Sequence, residues 1–421
     1  MSKKTSAKLV DLYFEIENVH PFEGTYLLEK FLKEQGRTMT WIPKTVLTMM
    51  GPVEQDPIVK DFESAPGVVT TINWGCFYID DIEGELETDY SVTDTLNFKL
   101  GGKVDARQKS WITELMKEFK VYIAANSVYK NKAISIGSVD NRDLKTPKFI
   151  DTATIKSGEY ILNESVSNEV EASISTLIKQ YQTCKDHGVP IKRGILLTGP
   201  YGTGKTLVAR QTAKLCVDNG WTFILVKDPK HLANAFSYSK RFSPSVVFVE
   251  DIDTAFDSNH RNSKTNDFLN TFDNIYSKNA ETMFIMTSNH PEQLSKPMLR
   301  PGRVDCVVQF ELPNASTVAK LIQYFAGDYT TSAEGTVANN LAASNVTPAI
   351  LRELVERAKL CAIQKTGTPS FDVSILEELY SSMKSHLDLI EQAIDLGVNK
   401  KGPSFEDKVD SLTHRLSKLG I

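Results

Sequence analysis

The sequence predicts an α/β protein in which a parallel sheet with crossover helices follows an N-terminal α+β domain and precedes a helical region. Between about Pro147 and Leu312, apolar runs of strand length alternate with segments of helical apolar spacing. After Leu312 the spacing stays helical, with an apolar stripe from Ile375 to Ile394. We therefore expect an N-terminal domain at 1–150, an α/β core at 151–312, a helical lid at 313–398 and a last helix at 399–421.

The N-terminal region mixes helix-like and strand-like patterns and contains no catalytic motif. Helices are expected over 25–35 and near 111–116. Runs rich in β-branched and aromatic residues predict strands at 68–72, 76–79 and 121–124. The acidic segment at 80–89 is interpreted as a solvated loop rather than a cation site. We interpret the region as an accessory recognition domain.

Length and composition restrict the class of protein. A chain of 421 residues exceeds one ordinary core, so more than one domain is expected. Its content of 41% hydrophobic and 24% charged residues is that of a soluble globular protein. The net charge is −5 and no run of lysine or arginine is present, so binding to nucleic acid is not indicated.

Cysteine usage and the N-terminal residues point to the cytoplasm. The five cysteines are scattered without a C-x-x-C pair, which argues against a disulfide framework and a zinc site. Met1-Ser2-Lys3-Lys4 lacks the apolar segment of a signal peptide, and no stretch reaches membrane-spanning length. We therefore expect a cytoplasmic protein without a membrane anchor.

A phosphate-binding pattern, G-x-x-x-x-G-K-[ST], occurs at Gly199-Pro200-Tyr201-Gly202-Thr203-Gly204-Lys205-Thr206. A short apolar run precedes it and Leu207 continues into a segment of helical spacing, so the order is strand, glycine turn, helix. Glycines let backbone N–H groups surround an anion at a helix N-terminus. Lys205 would reach the β- and γ-phosphates, and the Thr206 hydroxyl would bind Mg²⁺. The octapeptide, together with Leu207, therefore predicts a nucleoside triphosphate site.

Polar side chains follow two further predicted strands of the core. The apolar run at 246–249 is followed directly by Glu250 and Asp251. Carboxylates at the end of a buried strand suit magnesium binding and activation of an attacking water. The run at 283–287 ends in Ser288 and Asn289, and Asn289 would align that water against the γ-phosphate. A plain turn residue at a strand end is the alternative interpretation of Asn289.

Two arginines stand close together near the end of the core. Arg300 and Arg303 are separated by Pro301 and Gly302, so they are rigidly displayed rather than placed on one helix face. A guanidinium group is always charged and suits contact with a phosphate. The alternative is a surface ion pair.

In this order the motifs resemble those of an AAA-family ATPase, and the resemblance covers about residues 150–360. The order Glu250-Asp251, followed by Ile252-Asp253-Thr254-Ala255-Phe256, is most similar to the branch containing the mitochondrial translocase of the folded Rieske iron–sulfur protein. The resemblance implies a P-loop NTPase parallel sheet core with a C-terminal helical lid, and ATP and Mg²⁺ as cofactors.

The resemblance also implies roles for individual residues of the core. Asp251 would polarise the attacking water, and Glu250 would support the metal beside Thr206. Asn289 would be the sensor 1 residue. Lys205 would act in catalysis as well as in binding.

Further roles implied by the resemblance concern the neighbouring subunit and the nucleotide base. Arg300 and Arg303 would be arginine fingers acting on ATP bound to the next copy of the chain, which requires a homo-oligomeric ring, usually of six. His187 and Gly188 would border the adenine. Arg352 would be a sensor 2 arginine, with an ordinary exposed position on a helix as the alternative.

The chain departs from the family pattern at three places, one of which is Leu294-Ser295-Lys296-Pro297, where the family commonly has Leu-Asp-Pro. The usual acid–glutamate order is reversed to Glu250-Asp251, as in the branch named above, so the catalytic carboxylate is one methylene shorter and the water must sit closer or the strand must shift. The stretch between Val226 and Val246 lacks the aromatic–hydrophobic–glycine loop of polypeptide-threading relatives, which argues against unfolding by threading. The loop at 257–266 is polar and would line a pore or be solvated.

These observations predict a ring-forming, Mg²⁺-dependent ATP hydrolase that remodels or translocates a macromolecular client, with a protein as the first expectation. A nucleic-acid motor or loader is one alternative, and it requires a basic surface. A nucleotide-gated scaffold with little hydrolysis is another, favoured by the shortened carboxylate of Asp251.

Overall fold

The structure is a computed structural model that describes residues 8–48, 51–92, 96–136, 146–155, 160–228, 231–255, 281–294, 298–300, 302–330 and 335–384. The chain divides into two compact units, Met1–Glu311 and Leu312–Ile421. The first unit contains an N-terminal α+β part and a parallel sheet. The predicted last helix at 399–421 and the polar loop at 257–266 lie outside the described residues.

The N-terminal part is an antiparallel sheet covered on one face by helices. Its elements in chain order are β1 (Leu9–Ile16), α1 (Pro21–Glu34), β2 (Met39–Ile42), β3 (Lys44–Thr48), β4 (Gly51–Gln55), β5 (Ile58–Ala65), β6 (Val68–Trp74), β7 (Cys76–Ile79), β8 (Gly84–Val92), β9 (Leu96–Asp105) and α2 (Lys109–Asn126). The sheet order is β1-β9-β8-β7-β2, while β3 pairs with β4 and β5 with β6. Phe77, Phe98 and Phe119 are fully buried between the sheet and α1 and α2.

Local expectations for this part have mixed outcomes. The strands predicted at 68–72 and 76–79 are confirmed as β6 and β7. The acidic segment at 80–89 is a loop only at its start, because β8 begins at Gly84 and pairs with β9 through the rest. α1 begins four residues earlier than predicted, because the His20 ring accepts a hydrogen bond from Phe22 N at 3.2 Å and Pro21 suits a first helical turn.

The strand predicted at 121–124 is wrong, because these residues lie in the last part of α2. Ile112, Met116, Phe119 and Ile123 recur at helical spacing and are buried, whereas Val121 is exposed. A buried stripe along the whole helix outweighs the β propensity of a four-residue window.

The second part of this unit is a mostly parallel sheet with helices on its faces. Its elements are β10 (Ala133–Ile136), β11 (Lys148–Phe149), α3 (Glu164–Val170), α4 (Thr176–Lys179), α5 (Tyr181–Asp186), β12 (Arg193–Thr198), α6 (Lys205–Asp218), β13 (Thr222–Val226), α7 (Leu232–Arg241), β14 (Ser245–Val249), β15 (Thr282–Ser288) and β16 (Cys306–Gln309). The order is β11-β10-β13-β14-β15-β12-β16, with β11 antiparallel to β10 and the remaining neighbours parallel. The predicted α/β core with a parallel sheet is confirmed.

The parallel sheet starts earlier in the chain than the sequence predicted. β10 pairs with β13 in parallel register, with Ile134 opposite Ile224. Both side chains are fully buried in the apolar layer between the sheet and its helices. The alternating pattern predicted to begin at Pro147 therefore omitted a strand, because four residues are too few to show a periodicity.

A buried ion pair joins the N-terminal part to the parallel-sheet part. Glu23 of α1 is 0% exposed, and its Oε2 lies 2.9 Å from Nη1 of Arg241 at the end of α7. The other carboxylate oxygen, Oε1, accepts hydrogen bonds from the Ser127 hydroxyl and from Val128 N at 3.2 Å. Arg241 Nη1 also donates to the carbonyl oxygen of Asn18 at 3.0 Å. Groups from both parts thus neutralise one another in the interior.

The second unit is helical over its described residues. It contains α8 (Ala315–Ala326), α9 (Thr336–Ala343) and α10 (Pro348–Thr366), and residues 375–384 are also helical. Side-chain caps set two of the starts, since Asn314 Oδ1 accepts from Thr317 N at 2.9 Å and Thr347 Oγ1 from Ile350 N at 3.3 Å. Across the described ranges of both units, helices long and apolar enough to cross a bilayer are absent.

Candidate functional site

The phosphate loop connects the end of β12 to the start of α6, as the motif predicts. Gly199 has a φ of 143°, and a Cβ atom there would stand 2.2 Å from the carbonyl oxygen of Phe310. Gly202 and Gly204 have φ values of 73° and 107°, in the left-handed region that disfavours other residues. The loop backbone therefore needs glycine at these positions, and it leads into the N-terminus of α6, where anions bind favourably.

Lys205 lies folded against its own loop. Its side chain is mostly buried, at 7% exposure, and Nζ donates to the carbonyl oxygens of Gly199 at 2.6 Å and Pro200 at 2.7 Å. Burial lowers the pKa of Lys205 to about 8, and the negative charges of Asp251 and Asp253 oppose that shift. A mostly buried cation that bonds to backbone carbonyl oxygens is suited to exchange these contacts for phosphate oxygens.

Thr206 and Glu250 meet at the carboxyl edge of the sheet, as expected for a magnesium pair. The Thr206 hydroxyl hydrogen-bonds with the Glu250 carboxylate. Burial and then the charge of Asp251 raise the pKa of Glu250, while Lys227 and the bond from Thr206 act in the opposite direction. Clusters of three or more histidine, cysteine or acidic ligands are absent from the described residues. The set fits Mg²⁺, which keeps waters and phosphate oxygens and needs few protein ligands.

Asp251 and Asn289 are brought together from neighbouring strands β14 and β15. The Asn289 side-chain amide, Nδ2, donates to Asp251 Oδ1 at 3.0 Å. Asp251 N donates to the Thr287 hydroxyl at 2.9 Å, and Asp251 adopts a φ of 45°, which is unusual for a residue other than glycine. Thr287 had no predicted role, although its hydroxyl stands near a strand end, just before Ser288 and Asn289. Strain of this kind clusters at functional sites.

Asp253 is a third carboxylate at this edge, and the sequence prediction gave it no role. It is 7% exposed, and its Oδ2 accepts a hydrogen bond from Asn289 N at 3.2 Å. The backbone and side chain of Asn289 thus connect two carboxylates that follow the same strand. Its place as a third acid after β14 was the available signal.

Tyr201 is an exposed aromatic side chain of the phosphate loop, at 56% exposure. Its ring meets that of His290 edge-on with centroids 5.9 Å apart, and its hydroxyl lies 3.4 Å from His290 Nε2. His290 Nδ1 in turn lies 3.2 Å from a Glu292 carboxylate oxygen. The loop is therefore linked to the residues that follow Asn289. Thr203 is held within the loop, where its hydroxyl donates to Pro200 O at 2.8 Å.

Arg300 and Arg303 stand on a turn held by Asp305. Arg303 N donates to Arg300 O at 3.0 Å, and Arg300 is exposed. The Asp305 carboxylate accepts from Gly302 N at 3.0 Å and from Gly194 N at 2.9 Å, which fixes the turn to the start of β12. Pro301 lies outside the described residues. A rigid turn with an exposed guanidinium group can present charge to a surface outside this unit.

The remaining predicted residues are His187, Gly188 and Arg352. Among the described interactions, His187 contacts only its own helix, with Nδ1 2.9 Å from Thr183 O, and the exposed Gly188 follows it. Leu162, which the sequence prediction did not include, reaches within 3.5 Å of a Cβ placed on Gly204. Arg352 belongs to the helical unit, where it is 70% exposed and its Nε lies 3.9 Å from a Glu356 oxygen. The adenine and sensor 2 roles stay predictions.

The site resembles that of a known ATPase family. The family described as "ATPase family associated with various cellular activities (AAA)" matches residues 195–312. This span runs from the phosphate-loop strand through both arginines, and the AAA resemblance of the sequence is confirmed. The similarity to the Rieske-protein translocase in particular stays a prediction.

Individual relatives are similar over parts of their length. The chain is 27% identical over 187 residues to "26S proteasome regulatory subunit 6A" of Saccharomyces cerevisiae, covering 40% of this chain and 43% of that protein. It is 29% identical over 215 residues to the "Mitochondrial inner membrane i-AAA protease supercomplex subunit YME1" of the same yeast, covering 45% and 27%. It is 24% identical over 265 residues to "Nuclear valosin-containing protein-like" of Mus musculus, covering 55% and 30%. The chain spans less than half the length of these three relatives.

Proposed function

From the AAA ATPase domain that residues 195–312 form, we propose that the protein is a Mg²⁺-dependent ATP hydrolase that assembles into a ring and remodels or moves a protein client. One observation carries the hydrolase part of the proposal. Lys205, the Thr206–Glu250 pair and the Asp251–Asn289 pair converge at the carboxyl ends of adjacent parallel strands. Each group required for phosphoryl transfer to water has a candidate there.

Each group has a chemical task in the proposed reaction. The loop amides and Lys205 would bind the β- and γ-phosphates, while Thr206 and Glu250 would hold Mg²⁺, directly or through water. Mg²⁺ supplies charge neutralisation on the phosphates. Asp251 would orient the attacking water, and Asn289 would fix the Asp251 carboxylate. Such a site works by positioning and electrostatics rather than by covalent catalysis.

The exposed arginine turn supports assembly into a ring. Asp305 holds the backbone of the turn, and the Arg300 side chain on it is exposed. We infer that Arg300 and Arg303 complete the ATP site of the next copy of the chain, in a homo-oligomer for which six copies is the expected number. A finger of this type is worth about 10³- to 10⁵-fold in rate.

A protein client is favoured by the names of the relatives. They include a proteasome regulatory subunit and a protease subunit, which act in protein handling by their names. The N-terminal α+β part would recognise the client, and hydrolysis would change the contacts between subunits. The five cysteines, all within the described ranges, are free thiols, and this supports a reducing compartment such as the cytoplasm.

A complementation experiment tests both the reaction and the ring. We expect Asp251→Asn to bind ATP with only a residual, measurable turnover, and Arg300→Ala/Arg303→Ala to bind ATP with turnover lowered about 10³-fold. Mixing the two variants creates interfaces with an intact Asp251 site and an intact arginine pair, so phosphate release should return. Arg210→Ala, an exposed arginine of α6, is the matched control and should behave as wild type. A mixture that stays inactive would contradict action between subunits.

A nucleotide-gated scaffold is a second candidate, favoured by the short and strained Asp251. In that case the wild type and Asp251→Asn would release phosphate at the same near-zero rate, while ATP would still promote assembly. Light scattering with and without ATP distinguishes a scaffold that assembles when it binds ATP from a protein that neither hydrolyses ATP nor assembles.

A further inference from the structure

Asp253 has one carboxylate oxygen that its structural role does not use. Oδ2 accepts the hydrogen bond from Asn289 N at 3.2 Å. Oδ1 is buried and makes no hydrogen bond within the part of the chain that the structure describes. Buried carboxylate oxygens normally have partners, because desolvation without a hydrogen bond costs free energy. The second oxygen therefore needs an explanation beyond holding a turn.

The carboxylate lies next to the Asp251–Asn289 pair that would orient the attacking water. Burial lowers the pKa of Lys205 and the negative charge of Asp253 opposes that shift, whereas burial raises the pKa of Tyr201 and the charge of Asp253 adds to the rise. Asn289 binds Asp253 through its backbone and Asp251 through its side chain. Asn289 thus holds the Asp251 and Asp253 carboxylates near each other. The charges of both act on Lys205, the lysine that would contact the γ-phosphate.

The reversed Glu250-Asp251 order gives this second carboxylate a task. An aspartate at the water-orienting position is one methylene shorter than the usual glutamate, and Asp251 Oδ1 already accepts the Asn289 amide. An attacking water has two hydrogens and can donate to two acceptors. A nearby buried oxygen without a partner supplies the second acceptor.

On the premise of the proposed ATPase function, we propose that Asp253 is a water-orienting residue of the hydrolytic site. Its Oδ1 accepts a hydrogen bond from the attacking water, while its Oδ2 holds Asn289 in place. The water oxygen forms the new bond to the γ-phosphorus as the bond from phosphorus to the bridging oxygen breaks. ADP leaves with that electron pair, and the proton released from the water ends on the inorganic phosphate.

Replacement of Asp253 by asparagine separates this role from a structural one. Asparagine keeps one carbonyl oxygen that can accept from Asn289 N, but it presents an amide donor where Oδ1 stood. We expect Asp253→Asn to bind ATP as wild type does and to lower kcat by about 10²-fold, with KM little changed. The readouts are phosphate release and titration with a fluorescent ATP analogue. Asp218→Asn, a surface carboxylate at the end of α6, is the control and should leave both unchanged.

A double variant asks whether the two carboxylates act on the same water. If they do, Asp251→Asn/Asp253→Asn should be no more than slightly slower than Asp251→Asn alone, because effects on one group are not additive. Multiplied losses would overturn the proposal.

The remaining outcomes are also decisive. A wild-type rate for Asp253→Asn would overturn the proposal even if Asp253→Ala were inactive, because only the hold on Asn289 would then matter. Loss of ATP binding by Asp253→Asn would overturn it as well, by assigning the residue to the architecture of the site. If the wild type itself released no phosphate, the proposed function would fail together with this inference, whereas an active wild type confines the failure to Asp253.

Discussion

At the scale of single residues, Gly199 shows how little space the phosphate loop leaves. We expect Gly199→Ala to destabilise the loop and abolish ATP binding, because the new Cβ would stand 2.2 Å from Phe310 O and the φ is 143°. Gly220→Ala is the matched control, since its φ is 73° and no atom lies within 4 Å of the added Cβ. The control should cost only about 1 kcal/mol of unfolding free energy and keep ATP binding. Thermal unfolding and analogue titration measure the two effects.

Lys205 provides the second prediction at this scale. Lys205→Met removes the cation that would hold the β- and γ-phosphates, so ATP binding should weaken by at least about 100-fold, a loss typical of a buried charge-assisted contact. Lys214→Met, farther along α6, removes a lysine that lies 3.5 Å from Asp218 and should bind ATP normally. Equal affinities of the two variants for a fluorescent ATP analogue would contradict the assignment of the loop.

Residue roles differed in how far the sequence could predict them. The phosphate loop was predictable because its contacts are local: Lys205 bonds to Gly199 and Pro200 within the same motif. Asp253 was not, because its partner Asn289 arrives from the next strand of the sheet. The local sequence around a carboxylate such as Asp253 is the same whether the side chain is solvated or buried, so sequence alone does not reveal its burial.

At the scale of secondary elements, the junction between β9 and α2 depends on Asp105. Its carboxylate accepts from Arg107 N at 2.8 Å and from Arg107 Nε at 3.0 Å. Hydrogen bonds from the Arg107 side chain and then its backbone lower the pKa of Asp105 from near 3.8 to about 2. Because the folded-state pKa is the lower one, this carboxylate stabilises the fold above about pH 4 and loses that effect as the pH falls through 2.

The prediction is therefore a pH-dependent difference. Asp105→Asn should unfold at a lower denaturant concentration than wild type at pH 7. The difference between the two unfolding midpoints should become smaller when the pH is lowered to 3. Arg107→Met removes the cause of the shift and should give the same narrowing. A gap that stays constant from pH 7 to pH 3 would argue against the ion pair as its source.

Element boundaries were predicted well only where one signal dominated. The apolar strands β14 and β15 and the helix α6 were visible because burial on both faces or a long helical stripe leaves a clear pattern. The window at 121–124 misled because its β propensity is local, whereas the stripe of α2 runs over the whole helix. The four residues of β10 became a strand through pairing with β13, which no local pattern encodes.

At the scale of the whole molecule, the Glu23–Arg241 pair sets a stability prediction. Glu23→Gln leaves Arg241 buried without a counter-charge, so the unfolding free energy should fall by about 3–5 kcal/mol. Glu23→Leu/Arg241→Met removes both charges and should recover most of that loss, since no charge then stays buried. Denaturant unfolding of the single and double variants gives the comparison. Similar losses in both would mean that packing, rather than charge, explains the effect.

The same junction determines how the chain can be cut. A fragment starting at residue 151, the limit that the sequence suggested, would lose β10 and β11. β13 would then be an unpaired edge strand of the parallel sheet. An exposed edge strand can pair with strands of other molecules and so cause aggregation. The fragment would also lose Glu23, the acid that neutralises Arg241. The nucleotide-binding sheet is therefore not a separable module, and attempts to isolate it should yield sticky, self-associating material, which size-exclusion chromatography would show as a void-volume peak.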